Sequence, residues 1–97
     1  MVIEKINLER IEEILKFIYE KSSQVKILQE EIKSIEDSIK NNESSFKIGK
    51  ISKEIYNDNK TNLETEKKNL INKIDKMLNS VVPILKELPH ITEKNKI

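Results

Sequence analysis

Ile11, Ile18, Val25, Ile32 and Ile39 recur every seven positions, and Ile14, Leu28 and Ile35 fill the sites between them. Apolar residues spaced three and four apart lie on one narrow stripe of an α-helix, and such a stripe is buried by meeting a second helix. The second half of the chain answers it. Tyr56, Leu63, Leu70, Met77, Ile84 and Ile91 hold one seam position, while Ile74, Val81 and Leu88 hold the other. Between the two runs, at Gly49, stands the only glycine. The spacing predicts an all-α fold: an antiparallel two-helix coiled-coil hairpin with a capped turn near Gly49 and a proline kink near Pro83. It places residues 1–97 in a single helical-hairpin domain, with a helix over 8–41, a turn over 42–52, a helix over 53–88 and a tail over 89–97.

One register should satisfy both seams. Setting Ile11 against Ile84 also sets Ile18 against Met77, Val25 against Leu70, Ile32 against Leu63 and Ile39 against Tyr56. The other positions then oppose Ile14 to Val81, Lys21 to Ile74, Leu28 to Lys67 and Ile35 to Lys60. The seam lysines can lay their methylene stems along the stripe and keep the ammonium in water. They weaken the seam but help to specify its register.

The ends of the helices are marked by their own chemistry. Asn7 is an N-cap for the first helix, with Ile6 and Ile11 as a hydrophobic staple and Glu9, Glu12 and Glu13 at the positive end of the dipole. Asn41 and Asn42, followed by Glu43-Ser44-Ser45, are expected to break the pattern, and Gly49 suits a left-handed position in the connection. Ser52 caps the second helix, with Ile51 and Tyr56 as its staple. Pro83 cannot donate to the carbonyl of Asn79 and is expected to kink the helix there. Pro89 is expected to end it.

Composition narrows the function. Hydrophobic and charged residues each make up 36% of the chain, which suits a long exposed helix pair better than a thick core. The net charge is +1 with both signs interspersed, so no strong field is directed at nucleic acid or an anionic membrane. There are no cysteines, which excludes disulfides and thiolate metal sites. No apolar run reaches the roughly 18 residues of a membrane span, and the start MVIEKINLER lacks the apolar core of a signal peptide. The expectation is a cytoplasmic protein.

Catalysis finds little support. His90 is the sole histidine, and the neighbours Glu12-Glu13 and Glu30-Glu31 diverge on a helix instead of converging. With a single histidine the chain cannot supply the two Glu-x-x-His motifs of a di-metal bundle, and it has no glycine-rich phosphate loop. The reading is non-enzymatic, with no cofactor and no metal. Lys67, Lys68, Lys73 and Lys76 form a basic run in the second helix that offers phosphate contacts. Glu64, Glu66 and Asp75 interrupt it, however, and Arg10 is the only arginine. Direct nucleic-acid binding is therefore expected to be weak or absent.

The seam widens toward the end of the hairpin that holds both termini. Leu8, Leu15, Phe17 and Tyr19 add to the first stripe, and Ile71, Leu78, Val82 and Leu85 add to the second. Two helices bury about one stripe each, so the surplus asks for a further surface. The half from about Gln29 to Glu66 shows no such excess. A protein partner, or a second copy in a homodimer, is expected to dock at the terminal end through Leu15, Phe17, Tyr19, Leu78, Val82 and Leu85. The competing reading closes this end with the chain's own N-terminal segment or tail.

The run Ser45-Phe46-Lys47-Ile48-Gly49-Lys50-Ile51-Ser52-Lys53-Glu54-Ile55-Tyr56, followed by Lys60 and Leu63, resembles an archaeal pattern. In it a helix breaks at G-x-I-S-x-E-x-Y and returns as a second charged helix. It is similar to the coiled-coil region of the archaeal Cdv cell-division proteins and to helical hairpins of the ESCRT machinery. The resemblance covers about twenty residues, and the chain has no room for the β-domain that precedes this region in the division protein. It implies a scaffold or adaptor subunit of a division or membrane-remodelling assembly. The alternative is a small accessory subunit that stabilises a replication or transcription enzyme, such as an archaeal DNA polymerase holoenzyme.

Overall fold

The computed structural model describes the backbone of residues 7–93 and the side chains of residues 7–88. The fold is an all-α helical hairpin of α1, Leu8–Lys47, and α2, Lys53–Glu93. Burial follows the heptads. Every seam position from Ile11 to Ile39 is buried or half-buried, as is every one from Leu63 to Leu88, whereas Lys60 is exposed. Ile14, 1% exposed, and Leu28, 9% exposed, are the buried apolar side chains among the described residues. With so little fully enclosed, each helix depends on the stripe of the other.

Both helix starts use a side-chain cap. The Arg10 backbone N–H donates to Asn7 Oδ1 at 3.0 Å, and that of Ile55 donates to Ser52 Oγ at 3.2 Å. The carbonyls of Asn7 and Ser52 accept the first helical bonds, from Ile11 at 3.1 Å and Tyr56 at 2.9 Å. Ile6, named as half of the first staple, lies outside the described residues. At the end of α1, Gly49 N–H donates to Phe46 O at 3.1 Å and Lys50 N–H to Ser45 O at 2.8 Å. This pair of bonds is a Schellman motif, and it needs a left-handed residue at Gly49, where φ is +78°.

α1 therefore runs to Lys47 and does not stop at residue 41. Asn42 acts as a seam residue: it is 8% exposed and continues the heptad position of Ile14 and Leu28. Its Nδ2 donates to the carbonyl of Tyr56 at 3.0 Å, and its Oδ1 accepts from Asn59 Nδ2 at 3.0 Å. An asparagine whose amide is held by the neighbouring helix has no reason to bond its own backbone and end the helix. α2 likewise continues through Pro89 to Glu93. A proline removes its own hydrogen bond, but residues beyond it can still bond back to the turn before. Residues 94–97 of the expected tail lie outside the described residues.

The chain divides into two compact units, Met1–Val25 with Asp75–Ile97 and Lys26–Ile74. In the terminal unit Arg10 holds Glu87 through Nε at 2.7 Å and NH2 at 2.5 Å. Ile18 and Val25 share a cavity with Met77 and Val81. In the turn unit the rings of Phe46 and Tyr56 stack with centroids 4.5 Å apart, and Lys67 Nζ lies 3.4 Å from Glu36. These contacts revise the register. Tyr56 meets Phe46 and Asn42 instead of Ile39, and Lys67 meets Glu36 instead of Leu28. The displacement in the turn unit is about one heptad, or two helical turns.

Candidate functional site

Heptad geometry sorts the surplus apolar residues by flank. In an antiparallel pair, the positions just after one seam site on both helices come to the same side, and those just before the other come to the opposite side. Leu8 and Leu15 are seven apart, and Tyr19 is one turn beyond Leu15, so they share a flank of α1. Leu78, Val82 and Leu85 share a flank of α2 by the same spacing. A cavity of about 180 Å³ in the terminal unit is lined by Ser22 from the first flank and Leu78 from the second. The two flanks therefore face the same way and form one surface. Its apolar residues are between 44 and 73% exposed.

Phe17 does not belong to that surface. It stands seven residues after Arg10, on the flank that carries the Arg10–Glu87 pair. It is half-buried, with Lys21 Nζ 5.4 Å from its ring centroid. Lys21 is itself a half-buried seam residue, so the ring gives its ammonium a partner where the stem crosses the stripe. The expected six-residue docking set thus separates into Leu15, Tyr19, Leu78, Val82 and Leu85 on one flank and Phe17 on the other. Leu8, 66% exposed, extends the first group.

The flank of Phe17 is organised by charge. Besides holding Glu87, Arg10 donates from NH1 to Glu13 at 3.0 Å. The hydrogen bonds to Glu87 and then Glu13 raise the guanidinium further above its already high ordinary pKa, so it stays charged at every working pH. Sequence reasoning missed this pair. The signal was a lone arginine one residue before a seam site, with a glutamate at the matching position before Leu88.

The basic run is not one patch. Lys67 turns into the seam and pairs with Glu36, while Lys68, Lys73 and Lys76 are exposed. Lys73 lines a groove that also contains Glu31 and Glu66. Among the described residues no group of three or more His, Cys, Asp or Glu side chains is placed to hold a metal ion. The side chain of His90 lies outside the described ones. No helix among the described residues is long and apolar enough to cross a membrane.

The turn also exposes apolar side chains. Ile48 is 66% exposed, Ile55 50% and Phe46 36%. They cluster where the chain reverses and do not run along a flank.

Compared with known proteins, the chain matches no family model, no curated sequence and no solved structure.

Proposed function

We propose that the protein is a non-enzymatic helical interaction module, a scaffold or adaptor subunit that docks through its terminal unit in a larger intracellular assembly. The observation that carries this reading is the apolar surface of Leu15, Tyr19, Leu78, Val82 and Leu85. Its residues are 44 to 73% exposed and all lie on one flank of the terminal unit. A contiguous apolar face bordered by charged residues is the usual mark of a protein-docking surface. The turn resemblance directs the proposal toward a division or membrane-remodelling assembly of the ESCRT kind, working in the cytoplasm.

The test is affinity purification of the tagged chain from its host at moderate salt, beside a Leu15→Ser/Leu85→Ser variant of unchanged helicity. Recovery of ESCRT-like subunits by the wild type and not by the variant supports the reading. Recovery of polymerase or transcription subunits would replace it with the accessory-subunit alternative. Equal recovery by the variant would remove the docking face from the argument.

A further inference from the structure

The geometry points to a second copy of this chain as the occupant of the Leu15–Leu85 face, paired about a two-fold axis parallel to the helices. This rests on reading that face as a docking surface and goes further by naming what docks. Area is the first argument. With exposures of 44 to 73%, Leu8, Leu15, Tyr19, Leu78, Val82 and Leu85 present on the order of 600 Å², close to the about 800 Å² per partner of a standard stable interface. The bordering residues can supply the remainder.

Level is the second. Val25 shares its cavity with Met77, and Arg10 reaches Glu87, so Leu15 and Leu85 lie at nearly the same height in the terminal unit, as do Tyr19 and Val82. A two-fold axis along the helices lays α1 of one copy on α2 of the other without changing these heights. Leu15 then meets the second copy's Leu85, and Tyr19 meets its Val82. Each contact is made twice, as a self-complementary interface requires. The helices alternate in direction around the resulting four-helix bundle.

Charge selects this axis over the other. The outer rim of α1 beside the face carries Glu9 and Glu12 with Lys16, a net negative charge. The rim of α2 at these heights carries Lys86. Neither Glu12 nor Lys86 has an ion-pair partner among the described residues. The axis along the helices brings the acidic rim to the lysine. An axis across them would set the glutamates against glutamates and Lys86 against Lys86, which opposes association.

Sedimentation of the full chain across about 1 to 100 µM tests the proposal. The wild type should form a dimer, and Leu15→Ser/Leu85→Ser should weaken it by roughly a hundredfold while helicity is kept. Lys86→Glu alone, and Glu9→Lys/Glu12→Lys together, should each weaken it by about tenfold, and combining all three should restore it. A wild type that stays monomeric throughout overturns the proposal. So does a dimer indifferent to Leu15 and Leu85, or one that the charge exchange does not restore. A monomer that still loses its captured partner on Leu15→Ser/Leu85→Ser would leave the adaptor reading standing and remove the second copy alone.

Discussion

The two units use the same heptads for different ends. In Lys26–Ile74 the seam closes on itself with polar hardware: Asn42 buried and bonded to Tyr56 and Asn59, Lys67 paired with Glu36, and two stacked rings near the turn. In the terminal unit the seam holds the most enclosed side chain, Ile14, and an arginine fork secures one flank while the other is left apolar. Polar seam contacts specify how two helices meet and offer little to a third. A second apolar stripe adds nothing to a two-helix pair and gives a further surface something to bind. The first unit carries the contacts that set register, and the second carries the apolar flank on which the proposed docking rests.

The largest effects should come from the seam. Ile14→Ala is expected to cost about 3 kcal/mol, because a fully enclosed branched side chain leaves a void between two helices. Leu28→Ala in the other unit should cost about 2 kcal/mol, the low end of the range, since its site is less enclosed and neighbouring stems can collapse into it. Chemical denaturation of both variants measures the difference. Equal losses would show that the two seams are closed equally well.

Next comes the buried amide. Asn42→Ala leaves the Tyr56 carbonyl and the Asn59 amide without their partner and should cost about 2 kcal/mol. Asn42→Leu should recover that stability and lose register, because leucine packs in any seam layer. Cysteines at Ser38 and Leu63, which border the same groove, provide the assay. In the Asn42 protein they should form one intramolecular disulfide, and in the Asn42→Leu background the yield should fall. An unchanged yield would assign register to the Phe46–Tyr56 stack.

These residues also show what could be read from the sequence. The seam positions from Ile11 to Ile39 and from Leu63 to Leu88, the Asn7 and Ser52 caps and the exposed apolar residues of the terminal unit are local or periodic features, and each appears where the pattern put it, whereas Lys60 is exposed. Register was not legible for a physical reason. Sliding one helix by a heptad keeps every seam position opposite another seam position, so the apolar pattern fits both alignments. Only single polar contacts such as Asn42 with Asn59 choose between them. The same asparagine hid the end of α1, because a pair of asparagines resembles a helix stop until one is seen to be bonded across the seam. Phe17 was grouped with Leu15 by proximity in sequence, yet two residues along a helix is nearly the opposite flank.

Gly49 ranks third. Nothing lies within 4 Å of an added Cβ there, so a substitution meets no neighbour, and its cost is purely that of φ +78°. Gly49→Ala should therefore destabilise by about 1 kcal/mol and Gly49→Val by somewhat more, through the backbone alone. Asn at this position should be milder than either, since it tolerates the left-handed region. Thermal melts of the Ala, Val and Asn variants should rank in that sense, and identical melts would show that the turn relaxes to another conformation without loss.

The smallest expected change in stability bears most directly on the contrast between the units. Leu15→Ser removes an apolar side chain that is 58% exposed, so the folded monomer should change by no more than about 0.5 kcal/mol. Binding through the terminal unit should fall sharply in the same variant. A residue that matters to association and not to folding belongs to an interface, whereas one that matters to both belongs to the core. The measurement is a melt at a protein concentration low enough that association makes no contribution, since mass action would otherwise enter the apparent stability. A loss of about 2 kcal/mol under those conditions would mean that Leu15 is covered within its own chain. The terminal unit would then be closed on itself in the way Lys26–Ile74 is, and the division of labour between the units would collapse. An unchanged melt together with lost association would hold the two roles apart.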